Sequence, residues 1–305
     1  MAGVRLATLM HRAAATLAAA ALLAAGVVGA GILATGDAQA HDFWIEPSTF
    51  RPLPGATVTV GLRAGQNFVG DPVPRSARAI GQFVVRQGGG DEAIVGSENI
   101  DPAGFFRADG QSTAVIAYRS LPTYIELPAD KLEEYLRLEG LERIIELRSA
   151  RGASAKPGRE RFSRYAKALL TGERTSAAAI QPIGFTYEIV PDEDPTVGLS
   201  LFRGHVLHGG KPLAGALVVA MPHSDPSVRL AMRSDANGAF AFTLPQSGVW
   251  LIKSVHMVAA APFSDVDGIG LWGSLFSIAD WASLWASLTF ESPENSPSTN
   301  AKGPR

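Results

Sequence analysis

The sequence predicts a mainly β chain: two β-sandwich domains, the first interrupted by a helical insertion. Three observations predict it. Short segments with period-two alternation, such as Thr57-Val58-Thr59-Val60-Gly61-Leu62-Arg63, recur along the chain. Proline and glycine clusters, such as Pro54-Gly55 and Gly88-Gly89-Gly90, punctuate them. Between about 129 and 170 the period changes to three and four, as on a helix with one apolar face.

Residues 1–40 read as a Sec-type signal peptide. Arg5 and Arg12 form a basic start, Ala13 to Leu33 is almost wholly Ala, Leu, Gly and Val, and Ala38-Gln39-Ala40 is a small-x-small cleavage site. The apolar run is long enough to span a bilayer, so an uncleaved anchor is the rival reading. Cleavage after Ala40 predicts a periplasmic protein, with no membrane insertion after processing.

The first sandwich is expected over 41–190. Its strands include Thr57 to Arg63, Gln82 to Val85 and Thr113 to Tyr118. The insertion, about 129–170, is expected to hold three helices: Ala129 to Leu136, Leu141 to Arg148, and Arg159 to Leu170. The third would carry Phe162, Tyr165, Ala166 and Leu169 on one face. The second sandwich, 191–290, is expected to be Ig-like or prealbumin-like. Its strands are Ser200 to Val206, Leu217 to Ala220, Ala239 to Leu244 and Val249 to Val255, with a preceding strand at Phe185 to Val190. Asp235-Ala236-Asn237-Gly238 reads as a turn. Residues 280–290 form a last ordered segment, and 291–305, rich in Ser, Pro and Asn, a disordered tail.

Composition removes several function classes. Lys and Arg number 27 against 29 Asp and Glu, with no basic stripe, which argues against nucleic acid as a partner. There is no cysteine, so no disulfide framework, thiolate metal site or thiol nucleophile. No Gly-x-Ser-x-Gly, His-Glu-x-x-His or phosphate-binding loop is present. The expectation is therefore a binding protein and not an enzyme.

The chemistry points to His41. After cleavage it becomes the first residue, and its α-amino group and imidazole Nδ1 together chelate a transition metal, as no internal histidine can. These nitrogens suit Cu, Ni, Co and Zn, and an α-amino group with a pKa near 8 loses its proton readily. Of the other histidines outside the leader, His256 closes the strand from Val249 and is the best second ligand. It is equally readable as a hydrogen-bonded core histidine. His205 and His208, three apart, lie on opposite faces of a strand, so at most one shares a site. His223 falls in an exposed loop. Asp42 and Glu46 are candidates to orient the His41 imidazole from behind. Asp192-Glu193-Asp194 could take a hard cation or simply be solvated, and the basic run Arg159 to Lys167 could be an anion site or a solvated helix face.

Several strings together resemble one family, DUF4198. They are His41-Asp42-Phe43-Trp44-Ile45-Glu46-Pro47, Lys156 to Lys167, Gly210 to Ala216, Thr243 to His256, and Trp281 to Phe290. The resemblance covers nearly all of residues 41–290. Its members are described as periplasmic components of cobalt or nickel transport systems. The resemblance thus implies a divalent transition metal, Ni or Co, as cargo, with transfer to a membrane metal importer. Copper is the alternative cargo, held in a histidine brace, and a metal-free Ig-like structural or interaction module is the rival. Residues 259–279 are longer and more apolar than the family pattern suggests; Leu271 to Phe276 there could form a lid or contact surface.

Overall fold

The strand Gly158–Leu170 (β9) sets the architecture of the chain. In a computed structural model, residues 41–198, 201–225, 227–260 and 279–293 are described. The leader 1–40, most of the apolar stretch 259–279 and the tail from 294 lie outside these residues. On one edge, β9 pairs antiparallel with Ala114–Ser120 (β7) and Thr123–Leu127 (β8). On the other it pairs in parallel with Trp281–Ser292 (β17). Beyond β17 come Gly248–Ala259 (β16), Leu217–Pro222 (β13) and Leu230–Arg233 (β14). Beyond β7 come Ile80–Gln87 (β4) and Gly90–Ala93 (β5). These nine strands form one sheet.

Each face of this sheet carries its own layer. On one face lies a second sheet, formed by Tyr187–Pro191 (β10), Leu201–His208 (β11), Lys211–Pro212 (β12) and Ala239–Thr243 (β15). Tyr187, Phe202, Val206 and Phe242 interdigitate there with Tyr165, Trp250, Ile252 and Phe290. On the opposite face lies a third sheet: Asp42–Pro47 (β1), Thr57–Gln66 (β2), Val69–Pro72 (β3) and Gly104–Arg107 (β6). Phe43, Ile45, Val58, Val60 and Leu62 close that core over Ile116 and Ala168. The chain is mainly β with sandwich packing, and both sandwich interfaces share the central sheet. The boundary expected near residue 190 therefore runs through the central sheet, since β9 and β17 are hydrogen-bonded neighbours. The Asp235 turn joins β14 to β15, strands of different sheets. Asp235 Oδ1 accepts from the Asn237 and Ala239 amides, at 2.8 and 2.9 Å, and Gly238 has φ +72°.

The insertion holds two helices, not three. Ala129–Leu138 (α1) buries Leu132, Tyr135 and Leu136, spaced three and four apart, and carries Asp130 in its first turn and Arg137 in its last. Gly140, at φ +65°, turns the chain into Glu142–Ala150 (α2), which buries Ile144 and Arg148. The helices cover the β16–β17 end of the face that β1 also lies on, against Val255, Met257, Trp281 and Trp285.

The third expected helix, Arg159 to Leu170, is β9. It has partners on both edges and layers over both faces, so its outward polar alternation disappears. Phe162, Tyr165, Ala166 and Leu169 then mimic a helical stripe. Past its first residues the charge is drawn inside: Lys167 Nζ donates to Glu188 Oε1 at 2.7 Å, both side chains at most 3% exposed. Burial pulls the Lys167 pKa down, and Glu188 offsets part of that fall.

Gly158 opens β9 where α1 crosses it. A Cβ there would stand 2.2 Å from Leu132 Cδ2 and 3.0 Å from Arg148 Nη1, and Leu132 is wholly buried. Gly158→Ala is therefore expected to destabilise the protein by about 1–3 kcal/mol through overpacking. Urea denaturation would measure this, and an unchanged midpoint would refute it.

Candidate metal centre

His41 stands at the start of β1, half-buried. β1 is laid on the central sheet, where the Thr289 hydroxyl donates to the Ile45 carbonyl at 2.8 Å. This directs His41 to a cavity of about 100 Å³ walled by Leu127, Glu160, Phe162, Arg164 and Trp285. Trp285 stacks on Tyr135 of α1, ring centroids 5.4 Å apart.

Glu160 is the informative residue of this cavity, and it is 2% exposed. Its Oε1 accepts from the hydroxyls of Ser283 and Tyr135, the latter at 3.3 Å. Its Oε2 is buried and has no hydrogen-bond partner among the described residues. Burial raises the Glu160 pKa, while Ser283 and Tyr135 hold it back. Arg164, four residues along and so on the same strand face, lies over Phe43 and Phe162, 4.8 and 5.0 Å from their centroids. Burial lowers its pKa.

Asp42 and Glu46 do not turn back to His41. Asp42 is buried and ion-paired to Lys253 of β16, which also donates to Glu139 Oε1 at 2.7 Å. Burial lowers the Lys253 pKa, but the two carboxylates outweigh it and leave the ammonium above its ordinary value. Glu46 pairs with Arg63 at 2.5 Å.

His256 lies on the other face of the sheet from His41. It alternates with Lys253, Val255 and Met257, which face β1 and the helices, and so shares its face with Ile252 and with Ser254, whose hydroxyl meets that of Tyr187 at 2.6 Å. The sheet thus separates the two residues expected to share a metal. His256 meets His208 instead, at the open end of β11, with ring centroids 4.9 Å apart and tilted by 56°. Tyr187 flanks them, 5.9 Å from His256. Burial, aided by His208, drops the His256 pKa to about 4, and burial also lowers that of His208. Both imidazoles are therefore neutral donors at pH 7.

His205 points outward from β11, its Nδ1 2.7 Å from Asp192 Oδ1. Glu193 faces Arg203 at 3.9 Å, and Asp194 accepts from the Thr196 amide and the Thr113 hydroxyl, so the three loop carboxylates have separate partners. His223 lies edge-on to Phe68 at 5.2 Å. Among the described residues, no group of three or more His, Cys, Asp or Glu side chains is placed to hold a metal ion.

The histidine pair makes stability depend on pH. The folded His256 value, about 4, lies below its unfolded value, so the unfolded chain binds more protons between them. Stability is full above about pH 6.5 and falls as pH drops toward 4, by about 2–3 kcal/mol allowing for partial exposure. Thermal melts from pH 7 to 4.5 should show a smaller loss for His256→Gln than for the native chain. Glu160, raised by burial, acts with the opposite sign but equally in both proteins. Parallel pH profiles would refute the assignment.

The fold is that of a layered, mainly β protein, with His41 beside the buried Glu160 on one face of its central sheet and His208 against His256 on the other. The chain belongs to the DUF4198 family: the family profile, described as "Domain of unknown function (DUF4198)", matches residues 38–258. No curated protein matches it. Among solved structures it is similar to the "D0-D1 domain of Intimin", at 12% identity, over 82% of this chain and 97% of that one, with a TM-score of 0.19. The architecture rests on the strand pairing and not on that likeness.

Proposed function

We propose that this chain is a periplasmic transition-metal-binding protein that captures a divalent ion and hands it to a membrane importer. The metal is held at His41. Cleavage after Ala40 frees an α-amino nitrogen beside the imidazole, and the Glu160 carboxylate supplies the third donor. The observation that carries this reading is the buried Glu160 Oε2, without a partner among the described residues, in the cavity that His41 also lines. A buried unpaired carboxylate oxygen is costly, and a cation relieves it. Two nitrogens and one oxygen suit borderline divalent ions. Because two donors come from one residue, such a site needs no cluster of three side chains. Nickel or cobalt is the cargo suggested by the family resemblance; copper would bind tightest in vitro by the Irving–Williams order.

The neutral His208–His256 pair favours a second location for the same activity. Calorimetric titration of the chain beginning at His41 with Ni²⁺, Co²⁺ and Cu²⁺ decides between them. One equivalent is expected to bind, with an affinity about 100-fold weaker in His41→Ala and unchanged in His256→Ala. The reverse pattern would move the site to the histidine pair. No binding of any of the three ions would leave a metal-free structural module.

A further inference from the structure

A larger cleft opens where the end of α2 meets the starts of β9 and β17. It encloses about 430 Å³, within the range of small-molecule sites. Arg148, Arg151, Lys156 and Arg159 line it, against only Glu126 and Asp280. Asp280 is already neutralised by Arg159, which donates to both of its oxygens at 2.8 and 3.2 Å. Glu126 is exposed. The cleft thus carries an excess of two positive charges.

Two of these cations are held in place before any ligand arrives. Arg148 is 2% exposed. Its Nη2 donates to the carbonyls of Ala153 and Lys156 at 2.9 and 2.7 Å, which closes the loop around it. Among the described residues its buried Nε has no partner and its side chain no hydrogen-bonded carboxylate, Asp280 acting on it only through space. A buried arginine normally has its donors satisfied, so this one lacks an acceptor. Arg151 lies 5.3 Å over the Trp281 ring, and both line the cleft, so the stacking restrains its guanidinium there. Lys156 is exposed at the rim.

We propose that this cleft binds a small organic polycarboxylate, its carboxylate groups held by the Arg151 fork and by Lys156, with the buried Arg148 charge behind them. Guanidinium forks match the geometry of carboxylate and phosphate alike. The size of the cleft favours an organic molecule with several such groups over a single inorganic ion. The cleft shares no lining residue with the His41 cavity.

The test is calorimetric titration of the chain from His41 onward, in metal-free buffer, with citrate and separately with inorganic phosphate. Citrate is expected to bind with a submillimolar Kd that weakens as salt rises, and phosphate at least tenfold more weakly. The double variant Arg151→Glu/Lys156→Glu changes two exposed side chains and is expected to fold normally. It should lose at least 30-fold in citrate affinity. Citrate should also raise the melting temperature of the native chain but not of the variant. No heat with citrate at 10 mM, equal binding of citrate and phosphate, or undiminished binding by the variant would each overturn the assignment.

Discussion

Replacing Lys253 by alanine is expected to cost about 3–5 kcal/mol of stability, the range for removing one partner of a buried ion pair. The Lys253 ammonium is the common partner of Asp42 and Glu139, and all three side chains are 4–6% exposed. Without it, two carboxylates remain in a dry interface. Glu139, whose pKa burial already raises against the pull of Lys253, would have to take up a proton to fold. Three elements meet at this cluster: β1 through Asp42, β16 through Lys253, and the end of α1 through Glu139. Its loss should therefore loosen the start of β1 and the His41 cavity beside it, so metal affinity should fall together with stability. A triple variant, Lys253→Met/Asp42→Asn/Glu139→Gln, removes the charges together and should recover most of the loss, because isosteric neutral groups avoid the desolvation of unpaired ions. Urea denaturation of the two variants reads this directly. If Lys253→Ala unfolds at the native midpoint, the cluster does not anchor β1.

The limits of the sequence reading have the same origin. Thr57 to Arg63 is legible because Val58, Val60 and Leu62 are buried while Thr57 and Thr59 are not. α1 is legible because only one of its faces is covered, by Leu132, Tyr135 and Leu136. β9 loses that contrast. Covered on both faces, it buries Glu160 and Lys167 beside Tyr165 and Leu169, and a period-two count would have had to treat charged residues as interior. The partners that make this tolerable, Ser283 and Tyr135 for Glu160 and Glu188 for Lys167, lie 21 to 123 residues away. The same holds for the metal ligands. Strand parity shows that His205 and His208 face opposite ways, and the structure places them so. Parity also puts Lys253 and His256 on opposite faces. Which of them faces His41, however, follows from the Asp42–Lys253 pair, a contact across 211 residues that no local pattern carries. The absence of Glu160 from the expected ligands has this cause, since the Arg159-Glu160-Arg161 string reads as solvated until β17 is placed beside it.

Leaving one residue before His41 separates the chelate from the imidazole. A chain beginning at Ala40 keeps every side chain of the cavity, but the His41 nitrogen becomes an amide and ceases to be a donor. Affinity for Ni²⁺ is expected to fall about 100-fold, at least the effect of losing an outer-shell partner, with folding unchanged. Glu160→Gln tests the third donor separately. It preserves the volume beside Trp285 and removes the charge, so it too should weaken binding about 10- to 100-fold while leaving the melting temperature level or higher, because a buried carboxylate disfavoured by burial is exchanged for a neutral amide. The pH dependence distinguishes the two donors further. In the processed chain a metal must displace a proton from an α-amino group of pKa about 7.7–8.0, so affinity should climb steeply between pH 6 and 8. In the Ala40 chain, where the His41 nitrogen is an amide with no such proton to lose, that climb should flatten. Titrations of the three proteins at pH 6, 7 and 8 measure this. Equal affinities for the His41 and Ala40 chains would show that processing creates no ligand, and would shift the search to His208 and His256.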